Sequence, residues 1–157
     1  MLRKRLSMLA PILAATIFST TTAPASAEEV FSSSNRANQR IVVRVDVSEQ
    51  RMTVIQGGQR LYDWDVSTAR VGKYTPRGTF QPQFFSPNHR SSKYGGAPMP
   101  WSVFYDGDYA IHGTDAISRL GAPASAGCVR LHPDNAKLLY AMIFEAGKAE
   151  TFIVVQD

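Results

Sequence analysis

From Arg40 onward, apolar and polar positions alternate. Ile41, Val43, Val45 and Val47 fall on one side and Arg40, Val42, Arg44 and Asp46 on the other. That two-residue period predicts a half-buried strand. Arg51 to Gln56 predicts a second strand, Gly57-Gly58 a tight turn, and Arg60 to Ser67 a third strand. Thr75-Pro76-Arg77-Gly78 reads as a turn feeding a strand over Thr79 to Gln83. Pro87, Gly95, Gly96 and Pro98, set among polar residues, predict a long loop over 84–98. A loop of that length inside a compact domain points to function. Beyond it, Trp101 to Tyr105 and Tyr109 to His112 form a hairpin about Asp106-Gly107-Asp108. The period changes once. Pro133 suits a first helical position, Ala136, Leu139, Tyr140, Ile143 and Phe144 recur at helical spacing, and Gly147 closes the run. Thr151 to Val155 supplies a last strand. No internal repeat, heptad or second domain interrupts the pattern. The expected fold class is mainly β, a sandwich or barrel-like sheet pair with one helix near the C-terminus, occupying residues 40–157.

Composition changes this picture only at the N-terminus. The chain of 157 residues is 44% hydrophobic and carries 17 Lys and Arg against 13 Asp and Glu, a net charge of +4. Arg3, Lys4 and Arg5 precede an apolar run from Leu9 to Phe18, and Ala25-Ser26-Ala27 follows a Ser/Thr stretch. That is the build of a secretory signal peptide, cleaved after Ala27. The apolar run is far shorter than the roughly 20 residues that span a bilayer. Without the three leader cations, 17 basic residues fall to 14 against 13 acidic ones, a net of +1. A nucleic-acid partner therefore loses its support, and no membrane insertion is expected after cleavage. Glu28 to Gln39, polar and aperiodic, reads as a flexible tether. The expected location is the periplasm or cell envelope.

Export makes the single cysteine informative. Oxidising compartments favour paired cysteines. Cys128 alone excludes an internal disulfide and a cysteine metal cluster, leaving either a small buried hydrophobe or a working thiol. Its neighbourhood favours the thiol. Ser125-Ala126-Gly127-Cys128-Val129-Arg130 follows a loop with Gly121 and Pro123, and Gly127 permits the tight backbone that lets successive N–H groups converge. Cysteine attacks as thiolate, only a few per cent of which forms unaided at neutral pH, so a base is needed. His112, in Ile111-His112-Gly113-Thr114 at the end of a strand, is the natural one if the intervening loop folds back.

With these residues in view, the chain resembles the L,D-transpeptidase catalytic domain family, the YkuD-like domain. The matching residues are His112-Gly113-Thr114 and Ser125-x-Gly127-Cys128-Val129-Arg130 at the family's spacing. Val66-Ser67-Thr68, Thr75-Pro76-x-Gly78-Thr79-Phe80 and Ala97-Pro98-Met99-Pro100 look alike too, so the likeness covers roughly Arg40 to Val155. The resemblance implies a thiol acyltransferase acting on peptidoglycan stem peptides. Cys128 would attack the third residue of a tetrapeptide stem, D-alanine would leave, and the amine of a neighbouring stem would resolve the thioester into a 3→3 crosslink. His112 would shuttle the proton, oriented by the carbonyl of Gly113. The N–H groups of Gly127 and Cys128, with Ala126, would stabilise the oxyanion, and Ser125 would stand behind them. Arg130 would hold a substrate carboxylate or, equally, brace the catalytic loop. The family also implies acylation by carbapenems. Many members have His where this chain has Ala126, which bears on rate and substrate preference.

Other residues carry less. His132 reads as a capping or surface residue and His89 as a solvated loop position; a metal site from His89, His112 and His132 lacks carboxylates, and no cofactor is called for. Trp101, Tyr105 and Tyr109 fit a core, although Tyr94 and Trp101 lie near the expected cleft entrance and are the aromatic substrate contacts to consider. Lys93 and Arg90 are loop charges. A monomer is expected. Rival readings keep the same site but let water resolve the acyl-enzyme (an L,D-carboxypeptidase or endopeptidase), use an envelope protein's amine as acceptor, or retain the fold as a peptidoglycan-binding module without catalysis.

Overall fold

The computed structural model describes residues 40–157, together with Ser32, Asn35, Asn38 and Gln39. The signal peptide read over 1–27 and most of the 28–39 tether lie outside the described residues. The four described tether positions are helical and exposed.

Two sheets face each other across one core, so the architecture is a sandwich. The first holds β1 (Ile41–Asp46), β2 (Arg51–Gln56), β3 (Gln59–Asp65), β4 (Gly78–Phe80) and β9 (Thr151–Gln156), in the order β3-β2-β1-β9-β4. The second holds β5 (Phe84–Arg90), β6 (Pro98–Asp106), β7 (Tyr109–Gly113) and β8 (Val129–Leu131), in that order. Neighbours run antiparallel except β1 with β9 and β7 with β8. The alternation read along β1 holds: Ile41, Val43 and Val45 are fully buried. They meet Met52 and Val54 of β2, Ile153 and Val155 of β9, and Val103, Tyr105, Ile111, Val129 and Leu131 from the facing sheet. The turn between β2 and β3 has Gly57 at φ 56° and Gly58 at φ 81°, the paired positive angles a two-residue hairpin demands.

Two expectations about strands fail, each for a local reason. Residues 84–90 form β5 rather than part of a long loop, and only 91–97 connect it to β6. Pro87 hides this strand, because a residue without an N–H is tolerated only on an edge, and β5 is the outer strand of its sheet. The strand expected over 79–83 is three residues, Gly78–Phe80. In β6, alternation breaks at Trp101, whose φ is 58°. Met99 and Phe104, of opposite parity, therefore share one face and cluster with Ala110.

The helix α1 (Pro133–Ala146) starts on His132, whose Nδ1 accepts from Asp134 N–H at 3.3 Å, and ends on Gly147 at φ 86°. Ala136, Leu139 and Ile143 are buried against β6 and β7. Tyr140 of the same stripe packs against the edge of the core and, with Phe85 and Trp101, forms an aromatic cluster; Phe144, expected in the stripe, stacks on its outside and is 66% exposed. The helix thus braces the strand that carries His112. Truncating Leu139 (1% exposed) to Ala is expected to cost about 2–5 kcal/mol, because the cavity adds to the lost transfer energy. Leu138→Ala, at a position 39% exposed, should cost less than about 1 kcal/mol. Urea denaturation of both variants checks the difference.

Candidate active site

The parallel pairing of β7 with β8 builds the site. Ile111 lies opposite Val129, His112 opposite Arg130 and Gly113 opposite Leu131. Ile111, Val129 and Leu131 face the core, so His112 and Arg130 face the other way, and Cys128, one step before β8, shares their parity. His112 and Cys128 are then diagonal neighbours on adjacent strands, roughly 7–8 Å apart at the backbone and within side-chain reach. Both line a cleft of about 560 Å³ on the outer face of the second sheet.

His112 is 4% exposed. Its Nδ1 lies 2.7 Å from the Gly113 carbonyl, which can only accept, so Nδ1 carries the hydrogen and Nε2 is left as the basic nitrogen. Burial holds the imidazole's pKa down to about 4, with the Gly113 carbonyl opposing and Arg130 and His89 adding to the depression. Burial likewise pushes the Cys128 thiol up; the Ala110 backbone and Arg130 pull it back, and Asp108 adds to the rise. The thiol points at the Asp108 carbonyl, 3.8 Å away. At neutral pH the resting pair is therefore neutral thiol and neutral imidazole.

The cysteine turn is fixed from beneath. Ser125, fully buried, donates from Oγ to the Cys128 carbonyl at 2.7 Å and accepts from Gly127 N–H at 2.9 Å. Gly127 N–H is therefore committed, which corrects its expected role as an oxyanion donor. Among the described residues, the N–H groups of Ala126 and Cys128 are the ones of this turn that remain free. Gly127 itself sits at φ 140°, and a Cβ there would meet the Tyr109 ring at 2.5 Å and the Tyr74 carbonyl at 2.7 Å. Gly113 is hemmed in similarly by Pro100 and Pro133, each 3.1 Å from where its Cβ would sit.

The remaining residues divide. Arg130 lines the cleft, and among the described residues its guanidinium makes no ion pair or side-chain hydrogen bond. Tyr94 lines the cleft and is exposed. Trp101 does not reach it: it packs edge-on against Tyr140 with Lys137 Nζ above its ring. Tyr109 packs against the core cluster and also lines the cleft, and Tyr105 is fully buried. His89 lies on β5, edge-on to Phe104 and facing the cleft, not on a solvated loop. Lys93 forms an ion pair with Asp108 across the cleft mouth. Arg90 donates to the Gly96 carbonyl within its own loop. Among the described residues no three His, Cys, Asp or Glu side chains stand close enough to hold a metal ion, and no helix is long and apolar enough to cross a membrane.

Three supporting residues escaped sequence reasoning. Arg70 Nη1 donates to the Ser125 carbonyl at 3.2 Å, the bracing role that Arg130 was open to. Gln50, buried, exchanges hydrogen bonds with both the N–H and the hydroxyl of Thr68, whose carbonyl in turn accepts from Ala124 and Ser125. Thr75 Oγ1 donates to the Gly127 carbonyl. All three lie in sequence far from the turn they hold, so periodicity gives no sign of them.

A sandwich brings a cysteine, a neutral histidine and free backbone N–H groups into one cleft. The model of the L,D-transpeptidase catalytic domain, YkuD, matches residues 40–150, and the chain belongs to that family. Among solved structures it is similar to an L,D-transpeptidase from Mycobacterium smegmatis, at 25% identity and a TM-score of 0.67 over 75% of this chain and 59% of that one. It is similar to an L,D-transpeptidase from Stackebrandtia nassauensis, at 26% identity and a TM-score of 0.65 over 74% and 55%. The fold also matches L,D-transpeptidase 3 from Mycobacterium tuberculosis in complex with a faropenem-derived adduct, at 18% identity and a TM-score of 0.65 over 75% and 60%. The chain thus spans less than two thirds of these structures' length. No curated protein matches it.

Gly127→Ala is expected to cost at least about 2 kcal/mol, since strained backbone and a blocked Cβ act together. Gly72→Ala, also at positive φ but with nothing within 4 Å, should cost about 1 kcal/mol. Thermal unfolding of the two proteins compares them.

Proposed function

We propose that the protein is a peptidoglycan L,D-transpeptidase with Cys128 as nucleophile, working outside the cytoplasmic membrane after loss of residues 1–27. The observation that carries this reading is the shared face of His112 and Cys128, with Nδ1 of the imidazole pinned by the Gly113 carbonyl. His112 Nε2 takes the thiol proton as Sγ attacks the carbonyl of the stem's third residue. The Cys128 N–H, with that of Ala126, meets the oxyanion. As the intermediate collapses, the C–N bond to D-alanine breaks and His112 returns the proton to the leaving amine. The amine of a neighbouring stem's diamino acid then attacks the thioester, giving a 3→3 link and freeing the thiol. Arg130 supplies an unpaired cation to a stem carboxylate, and Tyr94 lies beside the bound peptide. β-Lactams of the penem and carbapenem classes acylate the same sulfur, a reading supported by the faropenem-derived adduct, from a penem, held by a protein of the same fold.

The protein lacking residues 1–27, incubated with disaccharide-tetrapeptide, is expected to give crosslinked dimers and free D-alanine by mass spectrometry. Tripeptide without dimers would instead indicate hydrolysis. Cys128→Ala should abolish both products, and His112→Ala should slow them about 10²–10⁴-fold; undiminished turnover by Cys128→Ala would sink the mechanism. The pH profile gives a separate check. His112 serves as base only when unprotonated, so activity should persist well below pH 6.5 and fall as the pH drops through about 4. An acid limb of kcat/KM at the ordinary imidazole value would contradict the buried, neutral base.

A further inference from the structure

We propose that Thr75 is a positioning residue for the oxyanion site: by holding the Gly127 carbonyl it aims the Cys128 N–H into the cleft. This rests on the thiol acyl-transfer reading above. The Thr75 side chain is buried, at 1% exposed, and lies outside the cleft. Its Oγ1 accepts from Ala69 N–H at 3.0 Å and donates to the Gly127 carbonyl at 2.8 Å, which fixes the direction of its single proton. Gly127 and Cys128 share one peptide unit. A trans peptide points its C=O and N–H in opposite directions, so a carbonyl held on the buried side turns the Cys128 N–H toward the cleft. Gly127 has φ 140°, a region where glycine alone lacks a steric brake, so its own backbone does little to fix that plane. Ser125 Oγ holds the preceding N–H and the following carbonyl, leaving Thr75 as the group that holds the carbonyl of the 127–128 unit. The threonine is 52 residues away in sequence and is itself placed by the ladder of Ser67, Thr68 and Arg70 against 125–130.

Two reactions of one thiol separate this role from a merely structural one. Alkylation by iodoacetamide is a displacement at carbon that builds no oxyanion. Acylation by a carbapenem forms the Sγ–C bond at the lactam carbonyl, breaks the lactam C–N bond and passes the thiol proton to the nitrogen, so it needs the donor. In Thr75→Val the acylation rate, followed by intact mass, is expected to fall roughly 10–100-fold while alkylation stays within about twofold. Thr75→Ser should restore acylation. Loss of folding would instead expose the thiol and speed its alkylation while acylation falls. Alkylation within about twofold and an unchanged thermal unfolding midpoint therefore mark a folded variant, and Thr75→Ala serves should the valine variant fail to fold. Equal acylation of wild type and hydroxyl-free variants overturns the role of Thr75. Failure of the wild type to be acylated at all, with its thiol still alkylated, would count against the acyl-transfer reading instead.

Discussion

The site depends on one pairing, the parallel contact of β7 with β8. Parallel neighbours cannot be joined by a tight turn, so the chain must leave β7 after Gly113 and return before Val129. That return path is the catalytic loop. Its register matters as much as its existence, because a slip of one residue would send Cys128 into the core and bring Gly127 to the cleft. The register is held from both sides. Inside, Ile111, Val129 and Leu131 are buried; at the outer edge of β8, Ser67 and Arg130 exchange backbone hydrogen bonds of 2.9 and 3.0 Å.

The second consequence is that the turn bearing Cys128 rests on a separate segment. Residues 66–70 run beneath 121–130, with Val66, Ser67 and Thr68 giving carbonyls to Gly121, Arg130, Ala124 and Ser125. Gln50 fills both backbone and side-chain demands of Thr68, and thereby ties the first sheet to the site in the second. Such buried polar contacts are worth having only when fully satisfied, since an orphaned group in a low-dielectric interior costs more than a bond returns. Here each of the named groups finds a partner, and the loop gains a fixed shape without a disulfide or metal.

Much of this was legible in the sequence, for identifiable reasons. The alternation from Ile41 and the helical spacing from Pro133 are dictated by burial on one face, which leaves its mark in order along the chain. The His112 and Cys128 motifs were legible because glycine-flanked nucleophiles need local backbone freedom. What escaped was set by partners distant in sequence. β5 is a strand because β6 lies beside it, despite Pro87. Tyr109 lines the cleft with its ring against Gly127, a residue 18 positions away, and Trp101 lies outside it because positive φ at that residue turns the side chain toward Tyr140. The free-donor assignment in the cysteine turn changed for the same reason: Ser125 Oγ reaches a neighbour's N–H, which spacing alone does not reveal.

The electrostatics of the cleft then follow from burial. Moving a thiol and an imidazole away from water disfavours their charged forms, and both shifts run that way here; the Arg130 guanidinium adds to the depression at His112 and opposes the rise at Cys128. A preformed thiolate–imidazolium pair would be reactive toward any oxidant, because oxidation proceeds through the thiolate. A neutral pair is inert until a carbonyl is in place to receive the electrons and the Cys128 N–H is there to meet the oxyanion. In the proposed mechanism, proton transfer to His112 Nε2 is then coupled to attack, not completed before it. In that mechanism the coupling joins a cysteine's reactivity to the presence of substrate, and it is why the positions of Gly113, Ser125 and Thr75 matter as much as the two groups they serve.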